Sequence, residues 1–381
     1  MPDFLLPQLA PLLPAFGVAV MVAWLLVHTR DWHLHLTGDH PDSGPQKLHT
    51  EATPRIGGLA VMAGLLAGLI WLYFAAEPGL RAQLQALRPG WLLAGLLPLF
   101  LLGMIEDIRK SISVRLRFGV SLAAGAIAHV FAGVRVEALG LPVIDALLQS
   151  LPLLSLLFTL VAVAGLVHAM NIVDGLNGLL AGITLVVLGV LAVVAARFAE
   201  TALMLLALAG MAATAGFAVF NFPRARLFCG DAGAYLIGYL AAVIVILLVL
   251  RQPTISPWFA LAVVMHPVTE TLYSAWRRVR EGLHPTHPDA RHMHSLWAAR
   301  LQRRREETGQ TVWLGTNAGA SWRTLAVASL SPLLAMTCPT QATALQFICL
   351  GYLAVFVVTV RLLERPIFDE DAAPLLSNDT H

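Results

Sequence analysis

Charge is the first thing this sequence lacks. Only 13% of its 381 residues are Asp, Glu, Lys or Arg, well below the roughly 25% of an ordinary soluble domain. Meanwhile 57% are hydrophobic and the mean hydropathy is +0.73, which excludes a soluble globular chain and leaves a polytopic membrane protein. Cysteine is almost missing. Cys229, Cys338 and Cys349 contain no CxxC pair, so neither a disulfide framework nor a zinc ribbon is available. No repeat of fixed period is visible, which excludes a solenoid. The first apolar run has no basic stretch before it and no small-residue cleavage site after it; it reads as a retained first span and not a signal peptide. No basic, aromatic-laced tract suggests a nucleic-acid partner.

What is present is a series of apolar runs. Crossing a bilayer takes about 20 such residues. Eleven segments qualify as candidates: 4–27, 56–75, 90–105, 116–132, 153–169, 179–196, 202–220, 233–250, 257–275, 324–337 and 342–363. The expected fold is therefore all-α, with about 11 transmembrane helices. Residues 1–363 form one integral membrane domain, 276–323 a long, partly helical aqueous loop, and 364–381 a disordered acidic tail. Alternate connections share the basic residues very unequally. The set containing 28–55, 106–115, 170–178, 221–232, 276–323 and the C-terminus, with immediately flanking residues, carries 20 of the 25 Lys and Arg; the other set holds only Arg81, Arg88, Arg135, Arg197 and Arg251. Basic loops stay cytoplasmic, so the N-terminus is expected to be periplasmic.

Every chemically suggestive segment falls in that basic set. At the centre is Asn171-Ile172-Val173-Asp174-Gly175-Leu176-Asn177-Gly178, where an amide, a carboxylate and a second amide recur every three residues between two apolar runs. A plain Asn/Asp/Gly turn is the simpler account; a polar binding segment at a membrane boundary is the functional one. Lys47, His49 and Arg55 precede a glycine pair, Gly57-Gly58. Such a pattern serves equally as a basic flank with a helix-packing glycine pair. Glu106 and Asp107 are adjacent carboxylates, balanced either by Arg109 and Lys110 or by a divalent metal. Asn221 is followed by Gly230-Asp231-Ala232-Gly233, in which Asp231 is a helix cap or a metal ligand. Finally, His284, His287, Asp289, Arg291, His292 and His294 crowd eleven residues. They suit a transition metal or, better, phosphate oxygens, because the other motifs already supply oxygen ligands for a hard ion. Together these parts suit phosphoryl transfer, in which a metal and cations offset phosphate charge and the protein does little covalent work.

In this order the motifs TPRIGGLAV, IEDIRKSISVRLRF, NIVDGLNGL, NFPRARLFCGDAGAYLIG and HPDARHMHSL resemble the polyprenyl-phosphate N-acetylhexosamine-1-phosphate transferases, over Lys47 to about Leu296. The resemblance implies transfer of a HexNAc-1-phosphate, GlcNAc-1-phosphate or a relative, from a UDP-N-acetylhexosamine to undecaprenyl phosphate. UMP leaves, Mg²⁺ (or Mn²⁺) is required, and the site faces the cytoplasm at a bacterial inner membrane. It implies catalytic roles for Glu106, Asp107 and Asp174, and metal binding by Asp231 and Asp107. Substrate binding is implied for Lys47, Arg55, Lys110, Asn171, Asn177, Asn221, Arg291, His292 and His294. A homodimer is compatible with it.

Four departures stand out: Glu106 replaces the usual first Asp of the pair, Asn177 an Asp, Ser295 the third histidine, and Glu270 an Asp. They resemble an O-antigen branch of cell-wall and lipopolysaccharide biogenesis and not the peptidoglycan enzyme. The rival expectations are a transporter or lipid-binding membrane protein, whose sites lie near the midplane, or an inactive relative.

Overall fold

The computed structural model describes residues 12–39, 52–284, 291–309 and 315–365. Lys47, His287 and Asp289, and the tail beyond Arg365, lie outside the described residues.

The apolar runs become helices whose starts are written in proline. Pro78, Pro89, Pro142, Pro152 and Pro257 each occupy a first turn, where the missing N–H costs nothing. In chain order the helices are α1 Leu12–His28, α2 Arg30–Thr37, α3 Gly58–Ala75, α4 Pro78–Ala86, α5 Pro89–Arg109, α6 Val114–Ile127, α7 Pro142–Ser150, α8 Pro152–Ile172, α9 Leu179–Arg197, α10 Thr201–Asn221, α11 Gly230–Arg251, α12 Pro257–Val263, α13 Met265–Arg280, α14 Met293–Thr308, α15 Gly315–Ala335 and α16 Ala342–Glu364. Helix α6 continues as a π-helical turn through Ala132. A two-residue pairing, β1 Gly38–Asp39 with β2 Thr53–Pro54, is antiparallel.

Among the described residues, eight helices are long and apolar enough to cross a membrane: α3, α5, α6 with its π turn, α8, α9, α10, α11 and α16. The pair α1 and α2, bent by 85°, makes a ninth if counted as one span. The expectation of eleven therefore meets two differences. The segment 257–275 is not one helix; it breaks at Val264 into α12 and α13. Pro267 has no N–H to donate back to Val263, so the chain restarts instead of continuing. The segment 324–337 belongs to a helix that begins at Gly315, inside the expected aqueous loop, and its polar first turns keep it below the apolarity of a span. That loop also contains α14.

Helix α11 is the axis of the bundle. Nearly all of it from Gly230 to Leu248 is buried, against α3, α5 and α8. Small residues allow the approach: a Cβ on Gly58 would lie 2.4 Å from the Gly233 nitrogen. The start of α11 is thereby pinned beside the start of α3 and the end of α5, which is where the acidic motifs meet.

Candidate active site

Asp107, wholly buried in the last turn of α5, points at the free backbone N–H groups that open α11. Its Oδ1 accepts from the Asp231 N–H at 2.8 Å and its Oδ2 from the Ala232 N–H at 3.1 Å. The first N–H groups of a helix have no partner of their own, and here a neighbouring helix supplies one. Gly230 makes this possible. Its φ is +77°, and a Cβ there would lie 2.1 Å from the Arg55 carbonyl and 2.5 Å from Asp107 Oδ2.

Arg55 is placed by backbone pairing between two of the sequence motifs. The Phe228 N–H donates to the Pro54 carbonyl, and the Gly57 and Gly58 N–H groups donate to the carbonyls of Phe228 and Cys229, all at 2.8 Å. Its guanidinium then sits among carboxylates: Nη2 donates to Asp231 Oδ1 at 3.1 Å and lies 3.8 Å from Asp107, while Nη1 lies 4.0 Å from Asp39. The other oxygen of Asp231 accepts from Arg117 Nη1 at 3.3 Å and from the Tyr235 hydroxyl at 3.2 Å. Arg117 also lies 3.5 Å from Glu106 Oε1. Glu106 Oε2 accepts from the Ile112 N–H at 2.7 Å, so this carboxylate shapes the turn after α5 as well as balancing Arg117. Lys110, in the left-handed conformation at that turn, donates its ammonium to the Gly38 carbonyl. It braces the β1 strand.

The central loop closes the cluster from the α8 side. Asn171 is half-buried in the last turn of α8. Asp174 follows in the loop and accepts from the Gly230 N–H. Burial among protein atoms pushes its carboxyl up to about 7; Arg55 and the Gly230 amide pull against this, and the charge of Asp231 adds to it. Asn177 donates its amide to the Pro223 carbonyl at 3.1 Å, its own N–H donates to Asn317 Oδ1 at 2.8 Å, and its Oδ1 is buried without a partner among the described residues. Asn221 is spent on scaffolding: Oδ1 accepts from the Gly178 N–H at 2.6 Å and Nδ2 donates to the Leu227 carbonyl at 2.8 Å.

The histidine segment arrives from the opposite flank. A Cβ on Gly175 would lie 2.2 Å from His294 Nε2, so only glycine lets the central loop meet that ring. Burial drives the His294 pKa down to about 3, helped by the charge of His292; it is a neutral imidazole at physiological pH. In the chain by itself His294 therefore contributes a hydrogen-bonding ring and not a cation. Arg291 pairs with Glu281.

Between α8, α11, α12 and α13 runs an apolar cavity of about 730 Å³, lined by Leu166 and Ala169, Val245 and Val249, Leu261 and Leu272. Its α8 wall ends two residues before Asn171.

The model of glycosyl transferase family 4 matches residues 90–249. The undecaprenyl-phosphate alpha-N-acetylglucosaminyl 1-phosphate transferase of Yersinia pestis is 30% identical over 258 residues, 66% of this chain and 67% of that one. The chain belongs to the polyprenyl-phosphate HexNAc-1-phosphate transferases. Two further members of the family are the probable undecaprenyl-phosphate N-acetylglucosaminyl 1-phosphate transferase of Bacillus subtilis strain 168 and the decaprenyl-phosphate N-acetylglucosaminephosphotransferase of Mycolicibacterium smegmatis. The first is 27% identical over 257 residues, 67% of this chain and 68% of its own. The second is 30% identical over 277 residues, 65% of each. These alignments span about two thirds of each relative. The matched model covers the carboxylates on α5 and α11 and the central loop, and leaves out Arg55 and the histidine segment.

Three members of the cluster were not singled out from sequence: Asp39, Arg117 and Tyr235. Arg117 and Tyr235 stood inside quoted motifs. The distance of Arg117 from Asp231, 114 residues along the chain, left no local signal.

Proposed function

We propose that this family member transfers a HexNAc-1-phosphate from a UDP-N-acetylhexosamine to undecaprenyl phosphate, releasing UMP, at the cytoplasmic face of a bacterial inner membrane. The observation that carries this reading is the meeting of Arg55 and Arg117 with Asp107, Asp174 and Asp231 at one end of an apolar bundle. A cluster at helix ends suits a soluble, charged donor and a membrane-embedded acceptor better than a midplane transport site does. In the reaction an oxygen of the lipid phosphate bonds to the sugar-bearing phosphorus, the bond between that phosphorus and the bridging oxygen breaks, and UMP carries the bridging oxygen away. Arg55 and Arg117 are positioned to meet the non-bridging oxygens with charge-assisted hydrogen bonds. The polyprenyl chain is assigned to the cavity beside α8.

A divalent ion is the expected cofactor. Among the described residues no three His, Cys, Asp or Glu side chains already form a metal-holding group. The donor chemistry nevertheless fits a hard ion: Asp231 offers two carboxylate oxygens, now held by Arg55, Arg117 and Tyr235, with Asp107 beside it. Asp231 and Asp107 would hold Mg²⁺, which when bound offsets phosphate charge. The basic asymmetry of the loops argues for a periplasmic N-terminus, and the departures at positions 106, 177, 270 and 295 for an O-antigen type of pathway.

The test is direct. Purified protein is given undecaprenyl phosphate and a panel of UDP-HexNAc donors, and UMP is measured with and without Mg²⁺. UMP release that needs both the lipid phosphate and the ion is the expected result; release independent of the lipid, or none with any donor, rejects the proposal.

A further inference from the structure

Helix α13 buries one face, including His266, Glu270, Ser274 and Arg277, and leaves Leu272, Trp276 and Val279 exposed. Glu270, on the buried face, is 1% exposed. Its Oε1 lies 3.0 Å from His292 Nδ1 and accepts from the Met293 N–H at 3.2 Å; Oε2 accepts from the same N–H at 3.4 Å. One carboxylate thus holds a ring nitrogen and caps the first turn of α14. Ser274 Oγ lies 3.2 Å from the same ring nitrogen. An ionised carboxylate can only accept, so Nδ1 carries the proton and the Nε2 edge is presented for other work. The His292 ring stacks parallel on His294, with centroids 5.4 Å apart and an interplanar angle of 3°. His294 in turn abuts Gly175, next to Asp174. The chain of contacts runs unbroken from Glu270 to the central loop.

We propose that Glu270 is a positioning residue, which holds His292 in its Nδ1–H tautomer and, through the His292–His294 stack, sets the histidine segment against the Asp174 loop on the donor side of the site. This rests on the transferase reading. A carboxylate that orients a histidine acts by fixing its tautomer and ring direction. Glu270→Gln separates that role from simple support. Gln can place its one carbonyl oxygen where Oε1 stands, on both Nδ1 and the Met293 N–H, so it keeps the shape and the cap; what it removes is the charge, the stronger acceptor that holds the proton on Nδ1.

The full-length protein in lipid nanodiscs is assayed with undecaprenyl phosphate and a productive UDP-HexNAc. Glu270→Gln should lower kcat/KM for the donor by about 10–100-fold, the range seen when the partner of a functional histidine is lost. The KM for the lipid acceptor should stay within about twofold, and the double variant with His292→Ala should be no worse than His292→Ala alone, because the two act as a unit. Normal donor kinetics in Glu270→Gln, or additive losses in the double variant, would overturn the proposal. Nitrogen-15 histidine spectra of the unaltered protein, with the His292 signals identified by their loss in His292→Ala, keep it testable if Glu270→Gln does not fold. A proton on Nδ1 is expected, and a bare Nδ1 overturns the assignment. Failure of the unaltered protein to release UMP with any donor would instead reject the transferase reading, and the tautomer measurement does not depend on it.

Discussion

Around Arg55, both oxygens of Asp107 and both oxygens of Asp231 already have N–H or O–H partners. Around His292, one carboxylate serves two elements and His294 Nδ1 has no partner among the described residues. The first region is saturated with charge pairs. A charged ligand can enter it only by exchange, for instance by drawing Arg55 or Arg117 away from Asp231. The second region has one buried carboxylate, Glu270, bonded to the His292 ring, and is otherwise held by shape, through a ring stack and one glycine contact. Exchange of charge suits the phosphates and a divalent ion; a shaped wall suits the orientation of a bound donor.

Asp231→Asn attacks the first region at its centre. It removes the charge that holds two guanidinium groups and would hold the ion, while keeping the shape. UMP release should fall by about 10³-fold or more, beyond the cost of one lost transition-state contact. Turnover near that of the unaltered protein at ordinary Mg²⁺ would place the ion elsewhere. Asp107→Asn should cost less activity and more stability. An Asn has one acceptor oxygen for two buried N–H groups, and an orphaned N–H costs about 1–3 kcal/mol. The loss should appear as a lower unfolding midpoint, and high pH should not restore activity; restoration would mean that Asp107 works as a base.

Gly175→Ala breaks the contact by which the second region touches the first, since the new methyl would fall on the His294 ring. A donor-side defect of about tenfold is expected, from the roughly 1–3 kcal/mol of an overpacked contact. A change confined to acceptor kinetics would separate the two regions. A further effect, on stability and not on turnover, is in pH. Asp174 has its carboxyl raised from the usual 3.8 to about 7. The folded state therefore binds its proton more tightly than the unfolded chain does. The stability it contributes is fully present below about pH 4 and is lost as pH rises through about 7, by at most about 1.4 kcal/mol per pH unit. Unfolding midpoints of the ion-free protein should show this slope between pH 5 and 7, and Asp174→Asn should flatten it; an unchanged slope removes Asp174 as its source.

Much of this is legible in the sequence. Long apolar runs identified most of the spans, because a bilayer leaves the backbone no partner outside the helix. The five motifs marked the site because polar residues at the end of an apolar run need a reason to be there. The span count was misread in two places. A run of apolar residues does not reveal that Pro267 interrupts it, and a polar start hides that Gly315 begins a helix. Residue type does not reveal where a hydrogen bond goes: Asn221 and Lys110, expected to meet substrate, also tie backbone segments together.

By itself the sequence determined a helical membrane protein with its acids, amides and histidines gathered in the same set of connections, since hydropathy and charge patterning are local properties of the chain. Which oxygen meets which cation was decided only by tertiary structure. Arg55, Asp107 and Asp231 are separated by up to 176 residues in the chain and meet because glycine lets three helix ends close on one point. The neutrality of His294 and the raised carboxyl of Asp174 come from burial, a quantity that exists only once the helices have packed.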